Sequence, residues 1–390
     1  MANNGADADV FEQFITQLRR YVRERLVPAE DEVVSHNRIP EPIVDEMREM
    51  GLFGVTIPEQ YGGSGFNVSQ YVRFIEEISW ALPAYRSIIS MNVGMNAFSI
   101  MSAGTDAQKE YWLPKLASGE TIACFALSEP DSGSDAAALT TRAELDGDEY
   151  VLNGVKRYIS NAPLAHMGLV MARTSHENLP KNTHVSAFLI PLDTPGVTVG
   201  KPDKKMGQSG SLIADVILED VRLPKEALLS GIEGTGFKSA MGSINNGRLS
   251  VAAASVGYAK RMVDYALTYA TERKAFGTTI SNFQLIQAML ADSQAEIYAA
   301  EAMIKDASAR ADRGDDIIID AASTKMFASE MCGRVADRTV QILGGAGYLQ
   351  EYLAERFYRD SRIYRIYEGT TQILQLAIAK RMIRDHQAGR

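Results

Sequence analysis

Cysteine is almost absent: the 390-residue chain has two, Cys124 and Cys332, far apart and without the short spacings of metal sites. This excludes a disulfide framework and a cysteine-type zinc centre as expectations, so no metal is expected, and it points to a reducing compartment. No apolar run approaches the roughly 18 residues of a membrane-spanning helix, so no membrane partner is expected. Residues 1–9 lack both basic side chains and an apolar stretch, which argues against a secretory or transit leader and makes the cytoplasm the expected location. Positive charge is in deficit, 40 Lys and Arg against 49 Asp and Glu, a net charge of -9 that argues against nucleic acid as a partner. Phosphate-binding fingerprints are missing too. The glycine-rich loop at 57–65 has no strand before it and no G-x-G-x-x-G, and in residues 231–239 Phe237 splits the glycine from the lysine of a P-loop.

What remains is an ordinary globular composition, 46% hydrophobic and 23% charged, long enough for two or three domains. Apolar residues recur at three- and four-residue spacing from Val10 to Leu52 and on to about 120, which predicts helices. From 121 the period becomes alternating: short β-branched and aromatic runs are separated by Asp146-Gly147, Asn153-Gly154 and Pro195-Gly196, read as turn pairs. The helical period returns over 237–271, 281–311 and 315–343, long enough for a bundle. The chain is therefore read as an α+β multidomain protein: an N-terminal helical domain (1–120), a middle antiparallel β-barrel domain (121–232) and a C-terminal four-helix-bundle domain (233–390).

The segment 362–372 carries the strongest chemical signal. A β-branched and aromatic run ends in Glu368 and Gly369, followed by Thr370, Thr371 and Gln372, so Glu368 is placed where a strand-like stretch turns into a helix that Thr371 can cap. A carboxylate desolvated there gains proton affinity and suits abstraction of a weakly acidic C–H proton; a helix cap or an ion pair with Arg365 is the plain alternative. Arg86 opens a helix rich in apolar and small residues. Its buried charge requires Glu76, Glu77 or an anionic ligand group. The turn 128–135, with small residues and free N–H groups, suits a polar or phosphorylated ligand, and Arg157-Tyr158-Ile159-Ser160-Asn161 pairs an aromatic ring with a hydroxyl at a strand end, suited to a flat ring. Arg273 and Lys274 are dipole partners or ligand groups, and the glycines at 344–347 a C-cap or exposed N–H donors.

Taken together and in order, these pieces strongly resemble the acyl-CoA dehydrogenase family over about residues 10–385. The signatures are Ala126-Leu127-Ser128-Glu129-Pro130 with Gly133-Ser134-Asp135; Asn153-Gly154 with Ile159-Ser160-Asn161; Glu272-Arg273 with Phe276-Gly277; Gln341-Ile342-Leu343-Gly344-Gly345; Arg359-Asp360; and Tyr367-Glu368-Gly369-Thr370. The resemblance implies one FAD per subunit, a homotetramer or dimer, an acyl-CoA substrate and an electron-transfer flavoprotein or similar acceptor. Flavin contacts would fall on Phe125, Leu127, Ser128, Tyr158, Ile159 and Ser160. Arg273, Phe276, Gln284, Gln341, Gly344 and Gly345 would approach a neighbouring subunit's flavin, and Thr370 and Gln372 the adenosine diphosphate portion. Ser134, Arg248 and Gly369 match substrate-contacting positions. Glu368 would take the α-proton while the β-hydrogen leaves as hydride. Some relatives carry the base one position before the arginine matching Arg248; that position is Gly247 here, leaving Glu368 as the base.

For the substrate, Tyr85-Arg86-Ser87 resembles the place where glutaryl-CoA dehydrogenases hold an arginine for the distal carboxylate, which favours a short dicarboxylyl-CoA. Seven positions earlier those enzymes have a glutamate for the steps beyond dehydrogenation, and this chain has Ser79. The competing readings are a plain short, medium or branched acyl-CoA as substrate, a desulfinase-type lyase on the same scaffold, against which Glu368 speaks, and a flavoprotein without catalysis.

Overall fold

Buried Phe11, Ile15 and Leu18 line one face of α1 (Ala8–Tyr21) at helical spacing. The structure, a computed structural model, describes residues 6–174 and 184–389. After α1 come α2 (Glu30–His36), α3 (Glu41–Glu49), α4 (Val68–Ile78), α5 (Pro83–Ser90), α6 (Ala97–Ala103) and α7 (Asp106–Ser118). Asn67 with Gln70, and Thr105 with Gln108, form capping boxes that start α4 and α7. A π-helical turn, Met91–Asn96, joins α5 to α6.

Seven strands follow: β1 (Ala123–Ala126), β2 (Arg142–Asp146), β3 (Glu149–Ser160), β4 (Met167–Thr174), β5 (Val185–Pro191), β6 (Val197–Val199) and β7 (Ile213–Pro224). They make one curled sheet, as expected of the middle third, but its pairing is mixed and not purely antiparallel. β1 and β2 lie end to end along one edge of β4 and run parallel to it, with registers Ala126↔Val170 and Arg142↔Arg173. The segment 127–141 loops out between them. The β4–β5, β2–β3, β3–β7 and β7–β6 pairs are antiparallel. Asn153-Gly154 is not a turn: it lies inside β3 at a register shift against β7. A side chain at 154 would come 2.4 Å from Thr141 Oγ1, so the glycine serves close strand approach.

The last third is α8 (Gly236–Glu272), a short β8 (Lys274–Ala275) and β9 (Thr278–Thr279) hairpin, then α9 (Gln284–Asp312), α10 (Ile318–Leu343), α11 (Leu353–Ser361) and α12 (Thr371–Gln387). The three long helices fall within three residues of their expected limits. α8 is central: every residue from Leu249 to Ala259 is buried, and Gly257 meets α4 so closely that a Cβ would lie 2.1 Å from Glu76 O. A buried pair fastens the N-terminal helices to it. Arg261 Nη2 donates to Glu30 Oε2 at 2.9 Å, and Glu30 Oε1 also accepts from Leu82 N at 2.8 Å.

One expected element is different. Residues 362–365 form a 3-10 turn after α11, not a strand, because Tyr364 packs into the helical core with its ring 6.0 Å from Tyr367.

Candidate active site

The turn at Tyr367, Glu368 and Gly369 links α11 to α12. Glu368 (φ 55°) and Gly369 (φ 89°) are both left-handed, a conformation glycine adopts freely and a glutamate only at a cost of about 1 kcal/mol or more. The turn is held from both sides. Thr370 Oγ1 accepts from Ile373 N at 3.2 Å, so Thr370 and not Thr371 caps α12. Thr371 instead donates to Glu330 Oε1 at 2.6 Å, and Lys325 Nζ of α10 donates to Gly369 O at 2.6 Å.

This backbone throws the Glu368 carboxylate against α8 at Gly247, where a Cβ would stand 2.8 Å from Oε1 and 2.9 Å from Oε2. The residue is only half-buried as a whole, but Oε2 is enclosed and has no hydrogen-bond partner. Burial pushes the carboxyl up to about 7, against the pull of Arg86, Arg248 and Lys325. Neither plain alternative holds, since Arg365 pairs with Glu330 at 3.0 Å and the cap belongs to Thr370. Near neutral pH this is a half-ionised, poorly hydrated carboxylate, the state a carbon-acid base requires.

Arg86 comes in from α5, buried. Its Nη2 donates to Ser250 Oγ at 2.9 Å, its Nη1 to Tyr367 Oη at 3.4 Å, and its Nε is enclosed without a partner. The expected carboxylates are elsewhere: Glu76 accepts from Lys260 at 2.6 Å and Glu77 pairs with Arg19 at 2.9 Å. Among the described residues Arg86 makes no ion pair. Tyr71 donates to the same Ser250 Oγ at 3.3 Å and lines a cavity of about 1050 Å³ with Thr56, Val93, Gly94, Phe98 and Asn246. Arg248 bonds Asn245 Oδ1 at 2.8 Å and also keeps an enclosed, unpartnered Nε. Ser87 does not join this group; its hydroxyl meets that of Ser211 at 2.7 Å.

A second group lies at the strand ends. Arg157 N donates to Ser128 O at 2.9 Å and so ties the exit of β1 to β3. Phe125, Leu127 and Ile159 are buried, while Ser128 and Ser160 are partly exposed and their hydroxyls have no partner among the described residues. Tyr158 is left-handed (φ 61°) and exposed, with the Arg157 guanidinium 4.7 Å from its ring and Arg157 held by Asp215 at 2.7 Å. Free hydroxyls beside an outward aromatic ring and an apolar floor fit a flat, polar-edged ring such as isoalloxazine. Within the adjoining loop Glu129 has a structural part: it accepts from Thr140 N at 2.6 Å, Thr141 N at 2.9 Å and the buried Lys156 Nζ at 2.8 Å. Burial works to raise its carboxyl, but Lys156 and these bonds hold it down to about 2. Ser134, in the same loop, is exposed.

A third group gathers at one end of the helical bundle, where Ala270, Ile280, Ile342 and Leu343 share a hydrophobic cluster. Arg273, Phe276, Gln284, Gln341, Gly344 and Gly345 are exposed around it, Phe276 at 97% with φ 52°. Among the described residues no hydrogen bond joins them to Glu368 or to the strand ends. Gln372 is exposed on α12. Sequence reasoning missed Tyr71, Ser250, Tyr367 and Lys325 as members of the Glu368 group. For Lys325 a signal existed: Ala321, Lys325, Ala328 and Cys332 fall on one helical face that is otherwise apolar and small.

Three family models match in chain order: acyl-CoA dehydrogenase, N-terminal domain, over residues 9–120; middle domain, over 124–221; and C-terminal domain, over 234–383. The chain is 38% identical over 380 residues to the human mitochondrial short-chain specific acyl-CoA dehydrogenase, covering 97% of this chain and 92% of the relative. It is 37% identical over 375 residues to a subunit of the caffeyl-CoA reductase-Etf complex of Acetobacterium woodii, covering 95% and 98%. A solved glutaryl-coenzyme A dehydrogenase in complex with glutaryl-CoA matches with a TM-score of 0.92 at 35% identity, covering 98% of this chain and 96% of that one.

Proposed function

The chain belongs to the acyl-CoA dehydrogenase family, FAD-dependent oxidoreductases that act on CH–CH bonds, and from that premise we propose that its substrate is a short dicarboxylyl-CoA thioester such as glutaryl-CoA. The observation that carries the proposal is Arg86, a buried guanidinium with no ion pair among the described residues, sharing Tyr367 with the turn that presents Glu368. A carboxylate at the far end of the acyl chain supplies the missing anion. The likeness to the glutaryl-CoA complex supports the same choice.

In this reading Glu368 accepts the α-proton on its carboxylate, and Gly247 leaves the room in which that carboxylate lies. FAD, when bound, supplies the acceptor for the hydride that leaves the β-carbon. Phe125, Leu127, Ser128, Tyr158, Ile159 and Ser160 hold the flavin, and Thr370 and Gln372 approach its adenosine diphosphate end. The exposure of Arg273, Phe276, Gln284, Gln341, Gly344 and Gly345 supports their use across a subunit boundary in a homotetramer or dimer. Ser134, Arg248 and Gly369 face the CoA thioester. An electron-transfer flavoprotein is the proposed acceptor, supported by the relative from an Etf complex.

The test is an anaerobic flavin-bleaching screen of mono- and dicarboxylyl-CoA thioesters. Loss of a charged hydrogen bond is worth roughly 1.5–3 kcal/mol, so Arg86→Ala should weaken glutaryl-CoA about tenfold or more relative to butyryl-CoA. Equal weakening of both would leave a plain short acyl-CoA as the substrate. Product masses read carbon dioxide loss. With Ser79, which has no ionisable group, at the position of the assisting glutamate, retention of the carboxylate is the expected result.

A further inference from the structure

Lys325 is the one buried cation near Glu368 that the reading above leaves without a task. Its side chain is wholly enclosed, and its ammonium has a single hydrogen-bond acceptor among the described residues, Gly369 O at 2.6 Å. The nearby carboxylate that would normally take such a lysine is occupied: Glu330 accepts from Arg365 Nη1 at 3.0 Å and from Thr371 Oγ1 at 2.6 Å. Burying an ammonium against one carbonyl is costly, and an apolar side chain would pack the same helical face without that cost. The lysine therefore answers a demand outside the core of α10.

We propose that Lys325 is a positioning residue for the base: its bond to the Gly369 carbonyl locks the left-handed Glu368-Gly369 turn and keeps a cation behind the Glu368 carboxylate. The inference rests on the reading of Glu368 as proton acceptor. Two residues in left-handed backbone need an outside restraint, and Lys325 supplies it at the peptide that follows the base, from a helix different from the one the carboxylate touches. The groups that face Glu368 are Arg86 from α5, Arg248 from α8, Lys325 from α10, Tyr71 from α4, and Tyr367 beside it. Of the three cations, Arg86 is bonded to Ser250 and Tyr367 and Arg248 to Asn245; Lys325 alone grips the backbone of the turn. Burial lowers its proton affinity to about 8, so it remains charged at neutral pH.

The test uses the FAD-loaded protein with three substitutions: Lys325→Arg keeps bond and charge, Lys325→Gln keeps a donor without charge, and Lys325→Met keeps neither. Two readouts are taken, the pH profile of anaerobic flavin reduction by substrate and an infrared titration of the Glu368 carboxyl band, identified by its loss in Glu368→Gln. The second needs no turnover. Removing a nearby positive charge should move the Glu368 midpoint up by about one pH unit in Lys325→Gln and Lys325→Met, with Lys325→Arg near wild type. Lys325→Met should in addition lose rate on the alkaline plateau, where Glu368 is ionised, with KM little changed. Should Lys325→Met fail to fold, the Gln and Arg pair decides. An unmoved midpoint in the uncharged variants, or one uniform loss at every pH in all three, overturns the inference. If instead Glu368→Gln is reduced at the wild-type rate, it is the assignment of the base that fails.

Discussion

At residue scale the site is made where a glycine and a glutamate from distant parts of the chain meet, Gly247 and Glu368. Gly247 was legible as the empty counterpart of an alternative base position, but its contact with the Glu368 carboxylate was not, because the two lie 121 positions apart in the chain. The geometry makes a sharp prediction. In Gly247→Ala the new methyl would overlap the carboxylate, which must then move, and a displacement of about 1 Å at a reacting group can cost on the order of 100-fold in rate. FAD content and thermal stability should stay near wild type while the limiting rate of flavin reduction falls; an unchanged rate would show that the carboxylate does not work from this place. The left-handed backbone of Glu368 and Tyr158 could not be read in advance, since neither residue type signals positive φ. The orphaned charge of Arg86 was legible as a problem, and the structure removed Glu76 and Glu77 as its solutions.

At the scale of elements, periodicity did well where burial is one-sided or complete over many turns, as in α8, α9 and α10. It failed where short runs have two uses. The run from Ile363 to Tyr367 has the composition of a strand but no partner strand, so residues 362–365 pack as a 3-10 turn on the helices. Asn153-Gly154 has the composition of a turn but sits inside β3, where the missing side chain admits Thr141. The segment 127–141 joins β1 to β2 beside β4, and it is held by Glu129 together with Arg173, which donates to Ala137 O at 2.7 Å and to Leu139 O at 3.1 Å. Glu129→Ala strips the buried Lys156 of its counter-charge and should cost about 3 kcal/mol locally. The expected result is faster amide exchange over residues 128–141 and weaker FAD retention, with Glu129→Gln milder; unchanged exchange would mean the loop is held otherwise. Because this carboxyl is held down to about 2, its contribution is present above the ordinary carboxylate range and is lost as pH falls toward 2.

At the scale of the molecule, the order helices, sheet, helices and the joining of the two helical halves around the sheet were readable from the change of period, while the residues at which they meet were not. α8 makes the junction: it receives α4 at Gly257, Arg86 at Ser250 and the Glu368 carboxylate at Gly247, so one buried helix aligns contributions from the first and last quarters of the chain. Among the described residues no helix is long and apolar enough to cross a membrane. The claim on which all of this depends is that Glu368, raised to about 7 by its burial, removes a proton from carbon. Its most direct test is the rate of anaerobic flavin reduction by a saturated acyl-CoA, followed against pH in wild type and Glu368→Gln. A raised carboxyl is protonated and idle below its midpoint, so the wild-type rate should climb through about pH 7 and level off above it. Glu368→Gln should bind FAD and thioester yet stay yellow at every pH. Bleaching of Glu368→Gln at the wild-type rate, or a wild-type rate indifferent to pH across that range, would contradict the account.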